Sequence, residues 1–220
     1  MIHVFFFSGF AANGKSSLIQ SIEGFVPKEH TVVKIGESAR DVFELNKFLF
    51  GKCDPEEFEK QILASEYYML QLLGDLAEKD NYDDKNHLVI LKDRFILDVL
   101  CFMLIKKQIS FEKACELCEK YFSEHVSKIL GIFHGSNYIL LINGTENEEF
   151  IKKAMQDPTR KETITDFLTM QKKFYRFWWK LADVLNLSRK LDIVQFSHPT
   201  DDPMVPFKIV GFILNEMKYG

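Results

Sequence analysis

Short apolar runs alternate with longer stretches of helical periodicity along the whole chain. Five runs are compact enough for buried strands: 2–7, 31–35, 87–92, 138–142 and 191–196. Between them, apolar residues recur every three or four positions, which predicts helices. The predicted helices cover 15–24, 38–50, about 54–80, 95–107, 110–129, 146–156, about 160–187 and 205–217.

This alternation of strands and helices predicts the fold class. Apolar strands that are separated by helices favour right-handed crossovers and a parallel sheet with helices on both of its faces. No internal repeat, low-complexity tract or linker divides the chain, and 220 residues suit one domain with a small lid. The sequence therefore predicts a single α/β domain over 1–220.

Composition narrows the classes of partner. The chain is 46% hydrophobic and 27% charged, which is ordinary for a soluble globular protein. Its net charge of −4 argues against a nucleic-acid polymer as partner, although one nucleotide can bind in a small cationic site. No apolar stretch reaches 18 residues, and the apolar start lacks the basic flank of a signal peptide. We expect a cytoplasmic protein with no membrane contact.

The four cysteines include one CxxC pair, Cys115 and Cys118. The surrounding residues have helical character, and no second pair of Cys or His lies at metal-ligand spacing. We interpret both as ordinary helix residues rather than as a zinc or redox site.

The most specific motif lies between the first strand and the first helix. Gly9–Ser16 reads GFAANGKS and matches the phosphate-loop pattern GxxxxGK[ST]. Glycines let the backbone approach phosphate oxygens, and the following helix start adds positive potential. We expect Lys15 to reach the β- and γ-phosphates of ATP and Ser16 to ligate Mg²⁺. The predicted phosphate contacts are Gly9, Ala12, Asn13, Gly14, Lys15, Ser16 and Ser17.

A charged pair, Asp93 and Arg94, follows the third strand. In a parallel sheet, this position lies at the same edge as the phosphate loop. There, Asp93 can hold Mg²⁺ or orient the acceptor. Arg94 can bridge the donor and acceptor phosphates with its planar guanidinium. Asp98, one helical turn further on, is expected to be a structural cap or partner.

The acceptor side is predicted after the second strand, where that strand opens at the same edge. Glu37 can take a proton from an acceptor hydroxyl, and Arg40 can hold an acceptor phosphate. On the next predicted helix, Phe58 and Gln61 are the residue types that stack on and hydrogen-bond to a nucleobase. The predicted acceptor-binding helices therefore cover about 38–80. The alternative interpretation of Glu37 and Arg40 is an ordinary helix start, and that of the next helix is an aromatic stripe that packs in the core.

A lid is predicted at about 145–165, after the fourth strand. Four cations surround Asp157-Pro158-Thr159: Lys152, Lys153, Arg160 and Lys161. Closure of such a segment over a triphosphate would exclude water and supply positive charge. Of the four cations, Arg160 is the one that we expect to act in catalysis. The alternative to a lid is a solvated loop with scattered basic residues.

Together these residues resemble the thymidylate kinase and deoxynucleoside kinase branch of the phosphate-loop kinases. The resemblance lies in Gly9–Ser17, Glu37 to Arg40, Asp93-Arg94, the Arg160 region and the helix from Ile164. It implies a five-stranded parallel core of order 2-3-1-4-5, with ATP as donor. It also leaves a homodimer open, since these families are often dimeric.

Two departures keep the acceptor open. After the second strand, thymidylate kinases usually carry Arg-Glu-Pro-Gly-Gly, whereas this chain has Gly-Glu-Ser-Ala-Arg, and its Glu-x-x-Arg also resembles small kinases related to ribosylnicotinamide kinase. The lid also has fewer arginines than either family usually shows.

The expected function is transfer of the γ-phosphate of ATP to a nucleoside monophosphate. One alternative is a nucleoside kinase in which Glu37 acts as base on a 5′-hydroxyl. Another is a nucleotide-hydrolysing switch or binding module, although no guanine-reading Asn-Lys-x-Asp stretch occurs.

Overall fold

The computed structural model describes residues 1–36, 86–121, 137–156 and 163–219, together with Ala64 and Asp75. Within these residues the chain forms five strands and six α-helices, with a 3-10 turn at Leu187–Arg189. The strands are β1 Ile2–Ser8, β2 Thr31–Ile35, β3 Leu88–Asp93, β4 Asn137–Ile142 and β5 Asp192–Phe196. The helices are α1 Lys15–Glu23, α2 Ile96–Ile105, α3 Phe111–Tyr121, α4 Glu148–Ala154, α5 Ile164–Val184 and α6 Val205–Tyr219.

All five strands are parallel, in the order β2-β3-β1-β4-β5. The α/β class, the parallel sheet and the strand order implied by the resemblance are therefore confirmed. β1 lies at the centre, with Phe7 opposite Asp93 of β3 and Ser8 opposite Leu141 of β4. This register brings the carboxyl ends of three strands together at one edge of the sheet.

The uninterrupted apolar sequence of β1 follows from burial on both faces of the sheet. Val4 and Phe6 pack into the core beneath α2, α3 and α5. Phe5 and Phe7 point to the other face, where α1 and α6 cover them. A strand that is covered on both sides needs no polar alternation, and the structure thus confirms the prediction of helices on both faces.

Local capping explains where two helices begin. α4 starts at Glu148 rather than at the predicted 146, because the Asn147 side chain accepts the Phe150 N–H at 3.1 Å. α5 starts at Ile164 with a capping box in which Thr163 and Asp166 bond each other's backbone N–H. At the start of α3, Ser110 Oγ accepts the Lys113 N–H at 3.1 Å and so caps the helix. None of the described helices is long and apolar enough to cross a bilayer.

Candidate functional site

Residues 9–14 join β1 to α1, and with the first two residues of α1 they form what we call the 9–16 loop. Its backbone is left-handed at three positions. Gly9 has φ 139°, Ala12 has φ 63° and Gly14 has φ 71°. A Cβ at Gly9 would lie only 2.5 Å from the Ile142 carbonyl oxygen, so glycine is required there. At Ala12 the chain adopts the same region with a side chain present, which is uncommon for a non-glycine residue. This loop is therefore tightly folded against the end of β4.

Lys15 occupies the inside of this loop. Its buried ammonium donates to the carbonyl oxygens of Gly9 at 2.9 Å and Phe10 at 2.8 Å. α1 begins at Lys15, and its first i to i+4 bond runs from the Leu18 N–H to the Gly14 carbonyl. The N–H groups of a first helical turn point out of the helix end, where the dipole favours an anion. The ammonium and the helix start thus create positive potential at one place.

Ser16 and Asp93 meet beside the loop, as the sequence predicts. The Ser16 hydroxyl donates to the Asp93 carboxylate at 2.5 Å, and Asp93 is the last residue of β3. Hydroxyl and carboxylate oxygens are the hard donors that Mg²⁺ accepts, so this pair fits that ion. In the described ranges, no group of three His, Cys, Asp or Glu side chains forms a metal site.

Arg94 leaves the sheet edge with an unusual backbone. Its φ is 71°, and its N–H donates to the Phe7 carbonyl at 2.8 Å. The guanidinium lies 5.4 Å from the centre of the Phe102 ring, and Nη1 is 3.9 Å from Asp98 Oδ2. The sequence predicts the residue and its place, but neither the left-handed turn nor the partners that hold its side chain.

Asp98 is the carboxylate that sequence reasoning assigned only to a structural role. It is fully buried on α2 and accepts hydrogen bonds from the Ser8 hydroxyl and from the Gly9 N–H, the latter at 3.0 Å. Burial raises its pKa to about 6, while Lys15, Arg94 and the two hydrogen bonds act to lower it. Asp98 is therefore a structural partner, and its partners are the start of the loop and Arg94. A sequence signal exists: it is the sole charged residue between Phe95 and Ile105.

One face of α5 also holds the loop, a role that the sequence did not indicate. The Tyr175 hydroxyl accepts from the Phe10 N–H at 3.2 Å and donates to the Ile142 carbonyl at 2.6 Å. Three residues on, Trp178 Nε1 donates to the Ser8 hydroxyl at 2.9 Å. Tyr175 and Trp178 are spaced to share a helix face, so α5 fixes both ends of the Ser8–Phe10 turn.

Asn13 has an inward-facing side chain. Its amide donates to the Ile142 carbonyl at 3.0 Å, the Asn143 carbonyl at 3.3 Å and the Tyr175 hydroxyl at 2.6 Å. If Asn13 contacts a phosphate, as the sequence predicts, the contact has to come from its backbone N–H. The side chain instead ties the loop to the end of β4.

The turn after β5 packs on the loop from another side. Pro199 Cγ would lie 4.0 Å from a Cβ at Gly14, and the ring of His198 packs edge-on against Phe150 at 4.6 Å. His198 Nδ1 accepts the Thr200 N–H at 3.0 Å, and burial lowers its pKa. Sequence reasoning assigned no role to this turn, since no motif marks it.

The structure brings four predicted catalytic or metal residues to one place: Lys15, Ser16, Asp93 and Arg94. In the predicted lid, Lys152 and Lys153 are exposed on α4, and Lys152 lies 3.7 Å from Glu148. The other predicted acceptor and lid residues lie outside the described residues: Glu37, Arg40, Phe58, Gln61, Arg160 and Lys161.

Comparison with known proteins adds no assignment, because no family model matches the chain and no curated protein matches it. The geometry of the site therefore has to support the functional proposal.

Proposed function

We propose that the protein is a phosphotransferase that moves the γ-phosphate of ATP to a nucleoside monophosphate, as in thymidylate kinases. One observation carries this proposal. A buried ammonium, Lys15, lies inside a left-handed Gly-rich loop at a helix start, with Ser16 and Asp93 hydrogen-bonded beside it. That combination suits binding and transfer of phosphate.

Lys15 is suited to neutralise charge on the transferred group. Its ammonium bonds two loop carbonyls, which places it inside the loop. Phosphate oxygens are stronger acceptors for an ammonium than neutral carbonyls are. We expect Lys15 to exchange these carbonyls for phosphate oxygens while the loop keeps its shape.

Ser16 and Asp93 would hold Mg²⁺ through their adjacent oxygens. The bound ion would offset the negative charge that develops on the phosphates during transfer. Arg94 follows Asp93 directly and provides a cation for the acceptor phosphate at the same sheet edge. A monophosphate acceptor is an anion already, so it needs cations more than it needs a base.

The register of β2 and β3 supports the proposal that the acceptor binds to the segment after β2. Ile35, the last residue of β2, lies opposite Lys92 of β3, one residue before Asp93. The chain that continues toward Glu37 and Arg40 therefore starts beside Asp93. Because that segment begins with a carboxylate, a nucleoside kinase with Glu37 as general base is the second candidate function.

To test the proposed function directly, the purified protein would be incubated with ATP, Mg²⁺ and a panel of nucleosides and nucleoside monophosphates. ADP and phosphorylated products would be separated by anion-exchange chromatography. Formation of a nucleoside diphosphate supports the proposal, whereas phosphorylation of nucleosides alone supports the second candidate. ADP without any phosphorylated acceptor would indicate a nucleotide-hydrolysing switch. Absence of ADP under every condition would contradict all three.

A further inference from the structure

Asp98 joins two parts of the proposed site from inside the protein. Its oxygens face the Ser8 hydroxyl and the Gly9 N–H, which begin the 9–16 loop. The same carboxylate faces the Arg94 guanidinium, with Nη1 3.9 Å from Oδ2. Asp98 is 0% exposed, so it does not itself face a ligand.

A buried carboxylate costs free energy unless charges and donors satisfy it. Here the satisfying groups come from three separate elements: β1 with its loop, α1 through Lys15, and the turn before α2 through Arg94. An asparagine cannot reproduce this arrangement, because its amide has one acceptor oxygen and its NH₂ group would face a donor. The geometry therefore requires two acceptor oxygens at this position.

The surroundings of Arg94 make this contact matter for function. Its guanidinium lies over the Phe102 ring, which limits its position on one side. Asp98 and Phe102 lie four residues apart on α2, so both project from one face of that helix. The carboxylate and the ring therefore approach the guanidinium from the same helix, and both act to orient this long side chain.

We propose that Asp98 is a positioning residue that fixes the start of the 9–16 loop and holds the Arg94 guanidinium in place for phosphoryl transfer. This inference rests on the proposed function. It assigns Asp98 two separable effects: the loop contact supports ATP binding, and the Arg94 contact supports the transfer step.

A double-mutant cycle separates these two effects. The variants are Asp98→Asn, Arg94→Ala, the double variant, and Asp183→Asn as a matched control on the exposed face of α5. For each variant, kcat and KM for ATP, the Kd for ATP from calorimetry and the melting temperature would be measured. The calorimetry reports on the loop without requiring turnover.

We expect Asp98→Asn to lower kcat by about 10- to 100-fold, since small misplacements of catalytic groups have effects of this size. In the Arg94→Ala background the same change should lower kcat by less than about threefold, because the positioned group is gone. The Kd for ATP should rise by about three- to tenfold in both backgrounds, through the lost loop contact. Asp183→Asn should match the wild type throughout.

Effects on kcat that simply multiply across the two variants would contradict the positioning of Arg94, and an unchanged Kd would contradict the loop contact. If Asp98→Asn fails to fold, Ser8→Ala removes one donor to Asp98 without adding atoms. That variant must then weaken ATP binding for the inference to stand.

A wild type that binds ATP but phosphorylates no acceptor would overturn the proposed function and the Arg94 effect, while the calorimetry would still test the loop contact. A wild type that binds no ATP overturns both.

Discussion

The two ends of the parallel sheet both contain buried polar side chains, but they differ in charge and backbone. At the amino end, three imidazoles lie together. His3 Nε2 is 2.8 Å from His87 Nδ1, with the two rings stacked at 5.0 Å. The His30 ring packs edge-on against the His87 ring at 4.9 Å, and His30 Nδ1 accepts the backbone N–H of His87 at 3.2 Å. Burial lowers the pKa values of His3 and His30, which favours the neutral forms of these two rings.

At the carboxyl end, buried groups of opposite charge meet on a left-handed backbone. Lys15 and Arg94 lie near Asp98 there, and positive φ angles occur at Gly9, Ala12, Gly14 and Arg94. Strained backbone conformations persist where surrounding structure enforces them, and they cluster at functional sites. Because buried polar clusters occur at both ends, such a cluster does not distinguish them. Opposed charges and positive φ angles occur together at the carboxyl end, and this combination is the reason for placing the proposed site there.

The largest expected effect is that of Lys15→Ala. Loss of the ammonium removes charge stabilisation that is used mainly in the transition state, so we expect phosphoryl transfer to fall by at least about 10³-fold. Circular dichroism should show an unchanged fold. Two controls test the comparison: Lys173→Ala on the exposed face of α5, and His3→Gln at the amino end, should both retain turnover near that of the wild type. Near-normal turnover in Lys15→Ala would remove the phosphate-loop assignment.

The next effect concerns the two candidate arginines. Arg94→Ala and Arg160→Ala should each lower kcat by about 10- to 100-fold, with a smaller rise in KM for ATP, because both cations are expected to meet charge that develops during transfer. Steady-state kinetics separate the two parameters. A change in KM alone would mean ordinary ground-state anchoring, and no effect at Arg160 would contradict the proposed lid.

A smaller effect distinguishes the two acceptor hypotheses. For a monophosphate acceptor, Glu37→Gln should lower kcat by less than about tenfold, since an anionic nucleophile needs no base. Arg40→Ala should chiefly raise KM for the acceptor. Both are measured against varied acceptor at saturating ATP. A loss near a thousandfold for Glu37→Gln, with Arg40→Ala silent, would favour the nucleoside kinase instead.

The central strands were predictable from sequence because burial on both faces leaves an uninterrupted apolar run. The Phe5–Phe7 run is apolar throughout, as a strand that is covered on both sides requires. The 9–16 loop was equally accessible, because its glycines and Lys15 stand at fixed spacing in one short segment.

The supporting contacts of the site were much harder to predict. Asp98 meets Ser8 across 90 residues, and Tyr175 meets Phe10 across 165. No local periodicity encodes such pairs, since they arise from how α2 and α5 pack beneath the sheet edge. The histidines of the amino end were missed for the same reason: His3 and His87 are 84 residues apart and meet only through the register of β1 and β3.

The smallest effect is a difference in acid response between the two ends of the sheet. Burial and the neighbouring imidazoles lower the pKa of His3 to about 4, so between pH 6.5 and 4 the unfolded chain takes up a proton that the folded protein does not. The neutral His3 ring therefore contributes stability that is complete above pH 6.5 and is lost as the pH falls toward 4. The stability change with pH has the opposite sign for Asp98, because its pKa is raised to about 6 and the folded form gains a proton before the unfolded chain does.

Below pH 6, His3→Gln should therefore lose less stability on acidification than the wild type, and Asp98→Asn should lose more. Each difference in slope should be at most about 1.4 kcal/mol per pH unit. Urea unfolding between pH 7 and 4 measures these slopes, with Asp183→Asn as the control. Parallel slopes for all four proteins would show that neither buried group titrates differently on folding.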